Sequence, residues 1–294
     1  MIELQNISKQ YNSIKAVNKL NIQIQAGQIC GFLGPNGAGK TTSLRMLMNI
    51  IHPDEGTILF DGKEERPGAQ HFGYLPEERG LYQKISVQET LNYFAHLRNV
   101  KDYHSKIDHI LERFELRDRL HSKVSELSKG NQQKLQFINT ILHDPDFVVL
   151  DEPFSGLDPV NQLLLKEILE DMKKAGKTII FSSHQMGQVE KICDDVALIN
   201  QGKLILSGSL SQIKREYGKT HLQVIPEHES DLDHEILKKN DAVIRAGAAY
   251  ILLSEKDRSQ LISRINSAFE IRTIKVAEPG LEDIFIQMVQ ADKP

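Results

Sequence analysis

Apolar and polar residues follow two kinds of pattern along the first two thirds of the chain. Short, almost wholly apolar runs predict buried strands at residues 29–33, 147–150, 178–182 and 196–199. The stretches between them carry apolar residues at helical spacing, and residues 86–143 predict a helical insert between strands. Strands that alternate with helices predict an α/β fold with a parallel-rich sheet flanked by helices.

Local signals place two helix starts within this insert. Ser86, with Glu89 three residues later, has the capping-box pattern of a helix N-terminus. A second helix is predicted over residues 135–142, where the apolar periodicity begins, and Ser128 and Gly130 precede it.

The last part of the chain has an order of its own. Residues 209–217 predict a short helix and Gly218 predicts its end, so the expected domains are 1–217 and 218–294. The predicted order in the second domain is strand, helix, strand, strand, helix, strand, with the first helix at 232–239. This order predicts a small, ferredoxin-like α+β domain.

Composition limits the classes of protein that this chain can belong to. With 294 residues, 40% hydrophobic and 26% charged, it has the makeup of a globular protein, and its net charge of -4 predicts no general affinity for nucleic acid. Cys30 and Cys193 cannot form a disulfide framework and are expected to be buried thiols in a reducing cytosol. No apolar run approaches the roughly 20 residues that span a bilayer, and no signal-peptide pattern is present. We therefore expect a cytoplasmic chain that reaches a membrane only through a partner.

The strongest motif is GPNGAGKTT at residues 34–42, which fits the phosphate-binding P-loop. Its glycines let successive N–H groups face one concavity, and the following helix start adds a partial positive charge there. Lys40 can reach the β- and γ-phosphates of a nucleotide, and the Thr41 hydroxyl can bind Mg²⁺. The apolar strand before and the helix after the motif favour this interpretation over a glycine-rich turn with a surface lysine. The expected nucleotide contacts in the loop are Asn36, Gly37, Ala38, Gly39, Lys40, Thr41 and Thr42.

Two carboxylates follow a buried strand, at Asp151 and Glu152. Ligands of open α/β sheets bind at the carboxyl ends of the strands, and an aspartate there can lie near the Mg²⁺ of a P-loop. A surface acidic turn explains one aspartate, but it is a poor explanation for this pair beside a P-loop. His184 follows another buried strand and is expected at the same edge, although a lone histidine there is more often simply hydrogen-bonded.

Tyr11 allows two interpretations. It lies in a turn-like stretch between two alternating strand patterns. Its ring could form a stacking platform for a purine, since aromatic faces are flat and apolar. Taken alone, the residue favours ordinary packing at the rim.

These motifs stand in an order that resembles the ATP-binding subunit of an ATP-binding cassette (ABC) transporter. One such motif is weak, but the set in this order is specific, and the resemblance covers the chain to about residue 217. It implies an adenine-stacking role for Tyr11 and a switch role for His184. The other matching segments are residues 34–42 for the P-loop, 127–131 for the signature LSGGQ, 147–152 for the second nucleotide motif and 155–158 for the dimer-contact loop. The tail at residues 278–285 is similar to that of cassette subunits serving ABC-2-type permeases, including sodium and drug exporters.

The sequence departs from the family pattern at two places. Glu77 stands where the family usually has glutamine, so it can still bind Mg²⁺ or hold water but adds a charge. In the signature, Lys129 replaces a glycine and Asn131 replaces a glutamine. Ser128 and Gly130 remain, and in the family these would bond a γ-phosphate across a dimer.

The resemblance implies an ATPase that uses ATP and Mg²⁺ in a head-to-tail pair of cassettes. Each ATP would lie between the P-loop of one cassette and the signature of the other. The implied catalytic residues are Glu152 as general base, His184 to hold the γ-phosphate and the water, and Lys40. The implied Mg²⁺ ligands are Thr41, Asp151 and Glu77, and the implied nucleotide contacts outside the P-loop are Tyr11, Ser128, Gly130 and Asp158.

The resemblance also implies partners, namely a second cassette and a separate membrane permease of ABC-2 type. Closing of the cassettes would pull on that permease, whose cytoplasmic helix we expect near residues 77–100. Two rival functions remain open. ABC proteins that act on ribosomes typically carry two cassettes in one chain, whereas this chain has one P-loop and one signature. DNA-repair ATPases of related fold interrupt the cassette with coiled coils, and no long heptad run occurs here.

Overall fold

A computed structural model of this protein describes residues 1–78, 80–217, 221–245, 247–252, 258–277 and 280–291. The chain divides into two compact units, Met1–Leu210 and Ser211–Pro294. The predicted domain boundary after residue 217 stays a prediction, and Gly218, the residue that suggested it, lies outside the described residues.

A six-stranded sheet forms the centre of the first unit. Its strands, in spatial order, are β5 (Phe72–Leu75), β6 (Phe147–Asp151), β7 (Thr178–Ser183), β3 (Ile29–Leu33), β8 (Asp195–Asn200) and β9 (Lys203–Ser209). All neighbours are parallel except β8 and β9, which are antiparallel. Every residue of β3 and of β7 is buried, because parallel strands are covered on both faces. The parallel pairing brings the carboxyl ends of β3, β6 and β7 to one edge.

A smaller antiparallel sheet packs in the same unit. It consists of β2 (Ile14–Ile24), β1 (Ile2–Tyr11) and β4 (Glu55–Phe60), in that order. Ile2, Leu4 and Ile7 of β1 are buried in one core with Phe32 of β3 and Leu44 of helix α1 (Lys40–Leu47). Both sheets therefore contact the helix that follows the P-loop, and this fixes the position of its N-terminus.

The insert between β5 and β6 is helical, with α2 (Val87–Leu97), α3 (Tyr103–Arg113) and α4 (Lys129–Ile141). The predicted capping box is confirmed, because Ser86 Oγ accepts the Glu89 N–H at 3.1 Å and a Glu89 oxygen accepts the Ser86 N–H at 2.8 Å. The predicted start of the next helix at residue 135 is wrong. Helix α4 begins at Lys129, where Ser128 Oγ accepts the Asn131 N–H at 3.2 Å as an N-cap. Its first turns are polar, so they add nothing to the apolar periodicity.

Helices α5 (Pro159–Lys174) and α6 (Met186–Val189) complete the first unit, and α7 (Leu210–Tyr217) starts at the last residue of that unit and belongs otherwise to the second. Cys30 and Cys193 are both free and buried in this unit, as the sequence predicts. Burial raises the pKa of each thiol.

The second unit contains a four-stranded antiparallel sheet. Its strands, in spatial order, are β11 (Val243–Arg245), β12 (Ala248–Leu252), β10 (His221–Pro226) and β13 (Ile271–Ala277), and its helices are α8 (Glu235–Lys238), α9 (Arg258–Asn266) and α10 (Leu281–Ala291). The first strand lies between the third and the fourth, which is the split βαβ arrangement of a ferredoxin-like fold.

The helix predicted at residues 232–239 is wrong as one continuous element. A 3₁₀ turn at Glu229–Asp233 precedes α8, and between them His234 has an extended backbone with ψ 141°. The His234 Nδ1 accepts the Ile236 N–H at 3.2 Å, so this residue caps the shorter helix.

Candidate functional site

The P-loop connects β3 to α1 and needs glycine at its two ends. Gly34 and Gly39 have φ angles of 153° and 103°. A Cβ on Gly34 would lie 2.0 Å from the Ile199 carbonyl oxygen, and one on Gly39 would lie 2.3 Å from that of Ala16. Only glycine fits both positions. The loop therefore delivers the chain to Lys40, where the unpaired N–H groups at the start of α1 can bind an anion.

Lys40 is held inside this loop. Its Nζ donates to the carbonyl oxygens of Gly34 at 2.8 Å and Pro35 at 3.1 Å, and it lies 3.8 Å from Glu152 Oε1. Burial lowers the pKa of Lys40, and the nearby carboxylates, Glu152 first, oppose that shift. A mostly buried ammonium group thus lies where the loop can receive phosphate.

Asp151 is fixed by two hydroxyl groups. Thr41 Oγ1 donates to Asp151 Oδ1 at 3.1 Å, and Ser182 Oγ donates to the same oxygen at 2.5 Å. Ser182 Oγ also accepts the Glu152 N–H at 2.9 Å, so it positions both acidic residues. No local sequence motif marks Ser182 as a functional residue. Its role follows from the parallel register of β6 and β7, which pairs Ser182 with Asp151.

The second carboxylate oxygen of Asp151 provides a test of Mg²⁺ binding. Asp151 is buried, and its Oδ2 has no hydrogen-bond partner among the described residues. Burying a carboxylate oxygen unpaired is unfavourable, and oxygen atoms of this kind are the ligands that Mg²⁺ prefers. Asp151 and the adjacent Thr41 hydroxyl therefore fit this cation.

Glu152 and His184 meet at the carboxyl ends of β6 and β7. Glu152 has a left-handed backbone with a φ of 50°, which is uncommon for a residue other than glycine. Its side chain is buried, and Oε1 lies 3.0 Å from His184 Nδ1. The structure thus brings Glu152, His184 and Lys40 together, as the sequence predicts for neighbours at one sheet edge.

A cleft of about 470 Å³ lies over the P-loop. Its lining includes Tyr11, Glu77 and Glu152, which are distant from the loop in sequence. Tyr11 is the last residue of β1, and 46% of its surface is exposed. The complete lining is Tyr11, Ala16, Asn36, Gly37, Ala38, Gly39, Lys40, Thr41, Thr42, Glu77 and Glu152.

Ser128, Gly130 and Asp158 do not line this cleft. Ser128 caps α4, and Asp158 caps α5, where its Oδ1 accepts the Asn161 N–H at 2.9 Å. That hydrogen bond holds the pKa of Asp158 below its usual value. A Cβ on Gly130 would lie 3.9 Å from the Gly156 carbonyl oxygen. The signature therefore approaches the loop that leads into α5, apart from the nucleotide cleft of its own chain.

Comparisons with known proteins identify the family of this chain. Residues 17–155 match the family described as ABC transporter. YhaQ of Bacillus subtilis, an ABC transporter ATP-binding protein, is 40% identical over 99% of each chain. The chain belongs to the ABC transporter ATP-binding proteins. As such a cassette subunit it binds ATP and hydrolyses it to power a transporter, which confirms the predicted activity.

Two further comparisons extend the match. The Nod factor export ATP-binding protein I of Burkholderia lata is 32% identical to this cassette subunit, over 98% of this chain and 96% of that one. A solved structure described as the ATP-binding subunit of an ABC transporter superposes with a TM-score of 0.68 at 28% identity, covering 74% of this chain and 93% of that chain. The predicted P-loop α/β fold is therefore confirmed.

The second unit has a match of its own. Residues 208–289 match the C-terminal domain described as that of the ATP-binding protein DrrA1-3-like. This chain is an ABC ATP-binding subunit, and subunits of this family dimerise and work with membrane permeases. Among the described residues, no helix has both the length and the apolar character needed to cross a membrane.

Proposed function

We propose that this cassette subunit powers export through a separate ABC-2-type permease, at the cytoplasmic face of the cell membrane. One observation carries the proposal: the likeness to the Nod factor export subunit extends through both units of the chain. The DrrA-like match of the second unit supports it independently of the cassette motifs, because it lies outside them.

The catalytic roles that we propose follow from the contacts at the sheet edge. Glu152 accepts a proton from the attacking water, because it is the buried carboxylate beside Lys40 in the nucleotide cleft. His184 orients Glu152 through Nδ1 and presents its other ring nitrogen to the γ-phosphate and the water. Lys40 and the N–H groups of the P-loop bind the β- and γ-phosphates.

The residues that we propose for Mg²⁺ are Thr41, Asp151 and Glu77. Thr41 and Asp151 already contact each other, and Glu77 lines the same cleft as Thr41. When bound there, Mg²⁺ would offset the negative charge of the nucleotide phosphates. Ser182 keeps Asp151 in place by a hydrogen bond to Oδ1, which leaves Oδ2 to face a cation.

The signature residues are proposed to act on the nucleotide of a second cassette. Ser128 and Gly130 lie at the start of α4, where N–H groups without intrahelical partners bind phosphate well. They are absent from the lining of the cleft in their own chain. They can therefore serve as phosphate ligands if a second subunit, identical or different, packs head to tail. Asp158, at the start of α5, would belong to the same interface.

Residues 77–100 are the proposed docking site for the permease. Tyr82, Tyr93 and Leu97 in this segment are exposed, and the rings of Tyr82 and Tyr93 meet edge to face with centroids 6.1 Å apart. Aromatic side chains left exposed as a group mark interaction surfaces on soluble proteins. A cytoplasmic helix of the permease would cover this surface.

Isolation of the tagged subunit from its own host membranes is expected to recover an integral membrane protein. Tyr93→Glu is expected to lower that recovery while ATP binding is retained, because a charge would be buried in the contact. Ile50→Glu, at an exposed apolar residue outside the segment, is the matched control. Quantitative mass spectrometry of the detergent eluate gives the readout. Recovery with ribosomes or DNA and without any membrane protein would overturn the proposal in favour of the rival functions.

Tyr11→Ala is expected to weaken ATP binding about fivefold, since loss of a stacking partner costs on the order of 1 kcal/mol. Tyr11→Phe keeps the ring and should bind ATP as the native chain does. Fluorescence titration with a labelled ATP analogue measures both variants. Equal affinity of the alanine variant and the native chain would assign Tyr11 to rim packing.

A further inference from the structure

Gln136, in the middle of α4, contacts the loop that carries Glu77. It is 6% exposed, and its Nε2 donates to the carbonyl oxygens of Pro76 at 3.3 Å and Glu78 at 3.2 Å. These two carbonyl groups flank Glu77 on either side. Among the residues that the structure describes, Gln136 makes the only hydrogen bonds to the backbone of residues 76–78.

The other end of the same amide makes no contact that would explain its presence. Gln136 Oε1 is buried and has no hydrogen-bond partner within the described part of the chain. A buried amide oxygen without a partner is unfavourable, so an apolar side chain would suit this position better on packing grounds alone. Compared with an apolar side chain, the glutamine contributes only the two hydrogen bonds from Nε2 to the loop.

We propose that Gln136 is a positioning residue, which holds Glu77 in the nucleotide cleft and couples it to the signature through α4. The inference rests on the proposed role of Glu77 as a Mg²⁺ ligand. Glu77 is exposed, yet it lines the cleft with Lys40 and Thr41, and its electrostatic effect reaches Lys40. Its carboxylate needs a fixed backbone if it is to meet a cation at a defined place.

Helix α4 provides the coupling. Its N-cap is Ser128, which we propose to bind the phosphate held by a second cassette, and the helix contacts two segments of its own catalytic site. Gln136 contacts the loop around Glu77, and Gln133 Nε2 donates to the Pro153 carbonyl oxygen, next to Glu152, at 3.5 Å. A shift of α4 when a second cassette binds would therefore move Gln136 and Gln133, and with them the backbone that holds Glu77 and Glu152.

Thr140 offers a matched control one helical turn further along α4. Its Oγ1 can donate to the backbone carbonyl oxygen of Gln136 at 3.0 Å or to that of Tyr74 at 3.3 Å, and Tyr74 belongs to β5 rather than to the loop. Thr140→Val removes these bonds of a buried hydroxyl but leaves the Gln136 side-chain amide and its two bonds to residues 76–78 in place. An effect of Gln136 that passes through Glu77 is thus separable from a general loosening of α4 against the sheet.

The experiment measures binding of Mn²⁺, as a probe for Mg²⁺, by electron paramagnetic resonance in the presence of a non-hydrolysable ATP analogue. Gln136→Met is expected to weaken Mn²⁺ about tenfold, a usual effect of losing a group that orients a metal ligand. Gln136→Asn, whose amide is one methylene too short, should act in the same direction. In EDTA, where no metal is bound, the Gln136 variants should bind the analogue within about twofold of the native affinity. The Thr140→Val variant should bind Mn²⁺ within about twofold of the native affinity.

Glu77→Ala separates failure of the proposed metal role from failure of this inference. If Glu77→Ala leaves Mn²⁺ binding unchanged, the metal role falls, and the positioning role falls with it. If Glu77→Ala weakens Mn²⁺ but neither Gln136 variant does, only the positioning role is overturned. In the double variant, Gln136→Met should add little to Glu77→Ala, since one residue acts through the other. Fully additive effects would also overturn the inference.

Discussion

Glu152→Gln is expected to lower steady-state ATP hydrolysis by about a hundredfold to ten-thousandfold, the usual contribution of a general base. The amide keeps the shape of the side chain but cannot accept the proton of the attacking water. The geometry favours Glu152 for this role because its carboxylate is buried, lies 3.0 Å from His184 Nδ1 and 3.8 Å from Lys40 Nζ, and lines the nucleotide cleft.

Phosphate release and nucleotide retention together give the measurement. The variant should retain ATP while turnover is lost, because the P-loop contacts remain. Glu167→Gln, an exposed carboxylate on α5, removes the same charge away from the cleft and should turn over as the native chain does. Near-normal turnover in Glu152→Gln would exclude Glu152 as the base.

Ser128→Arg is expected to abolish ATP-driven dimerisation and, with it, hydrolysis. Ser128 Oγ and the N–H groups at the start of α4 are proposed to bond the γ-phosphate held by another subunit. An arginine there would replace a small hydroxyl by a long side chain in the contact between subunits. ATP binding to the monomer should be unaffected, because Ser128 does not line the cleft of its own chain.

Light scattering with and without ATP tests this in the Glu152→Gln background, where the nucleotide persists. The parent should become a dimer on addition of ATP, and the Ser128→Arg variant should stay a monomer. Ser105→Arg, at an exposed serine on α3, is the control and should dimerise. A dimer that forms without ATP, or that survives Ser128→Arg, would disprove the shared site. A parent that stays monomeric would count against homodimerisation, and the assay would then be repeated with the permease and its other cassette.

The features that sequence alone predicts well are those with local causes. The P-loop between β3 and α1 is one of them, because Gly34 and Gly39 approach neighbouring backbone too closely for any other residue. The buried strands are visible as apolar runs because both faces of a parallel sheet are covered. The capping box at Ser86 is equally local, since both of its hydrogen bonds join residues three apart.

The features that sequence misses depend on tertiary contacts. Ser182 becomes significant only through the register of β6 and β7, which places its hydroxyl on Asp151. In the sequence, Gln136 is simply a polar residue within a helix, and only the structure shows its two hydrogen bonds to the loop around Glu77. The first turns of α4 are polar because they present the signature, so apolar periodicity cannot find them. The structure places Tyr11 in the lining of the nucleotide cleft, and a single aromatic residue in a turn-like stretch of sequence does not indicate that position.

The two buried cysteines have a practical consequence for following these subunits in solution. Thiol-reactive probes attack the thiolate, and burial both raises the pKa of Cys30 and Cys193 and shields their sulfur atoms. The native chain thus has a low chemical background for maleimide labels. One cysteine introduced at an exposed residue of α5, such as Leu163, would carry a single fluorophore without prior removal of native thiols. Energy transfer between two such labelled chains could then time the approach and separation of cassettes during each ATP cycle.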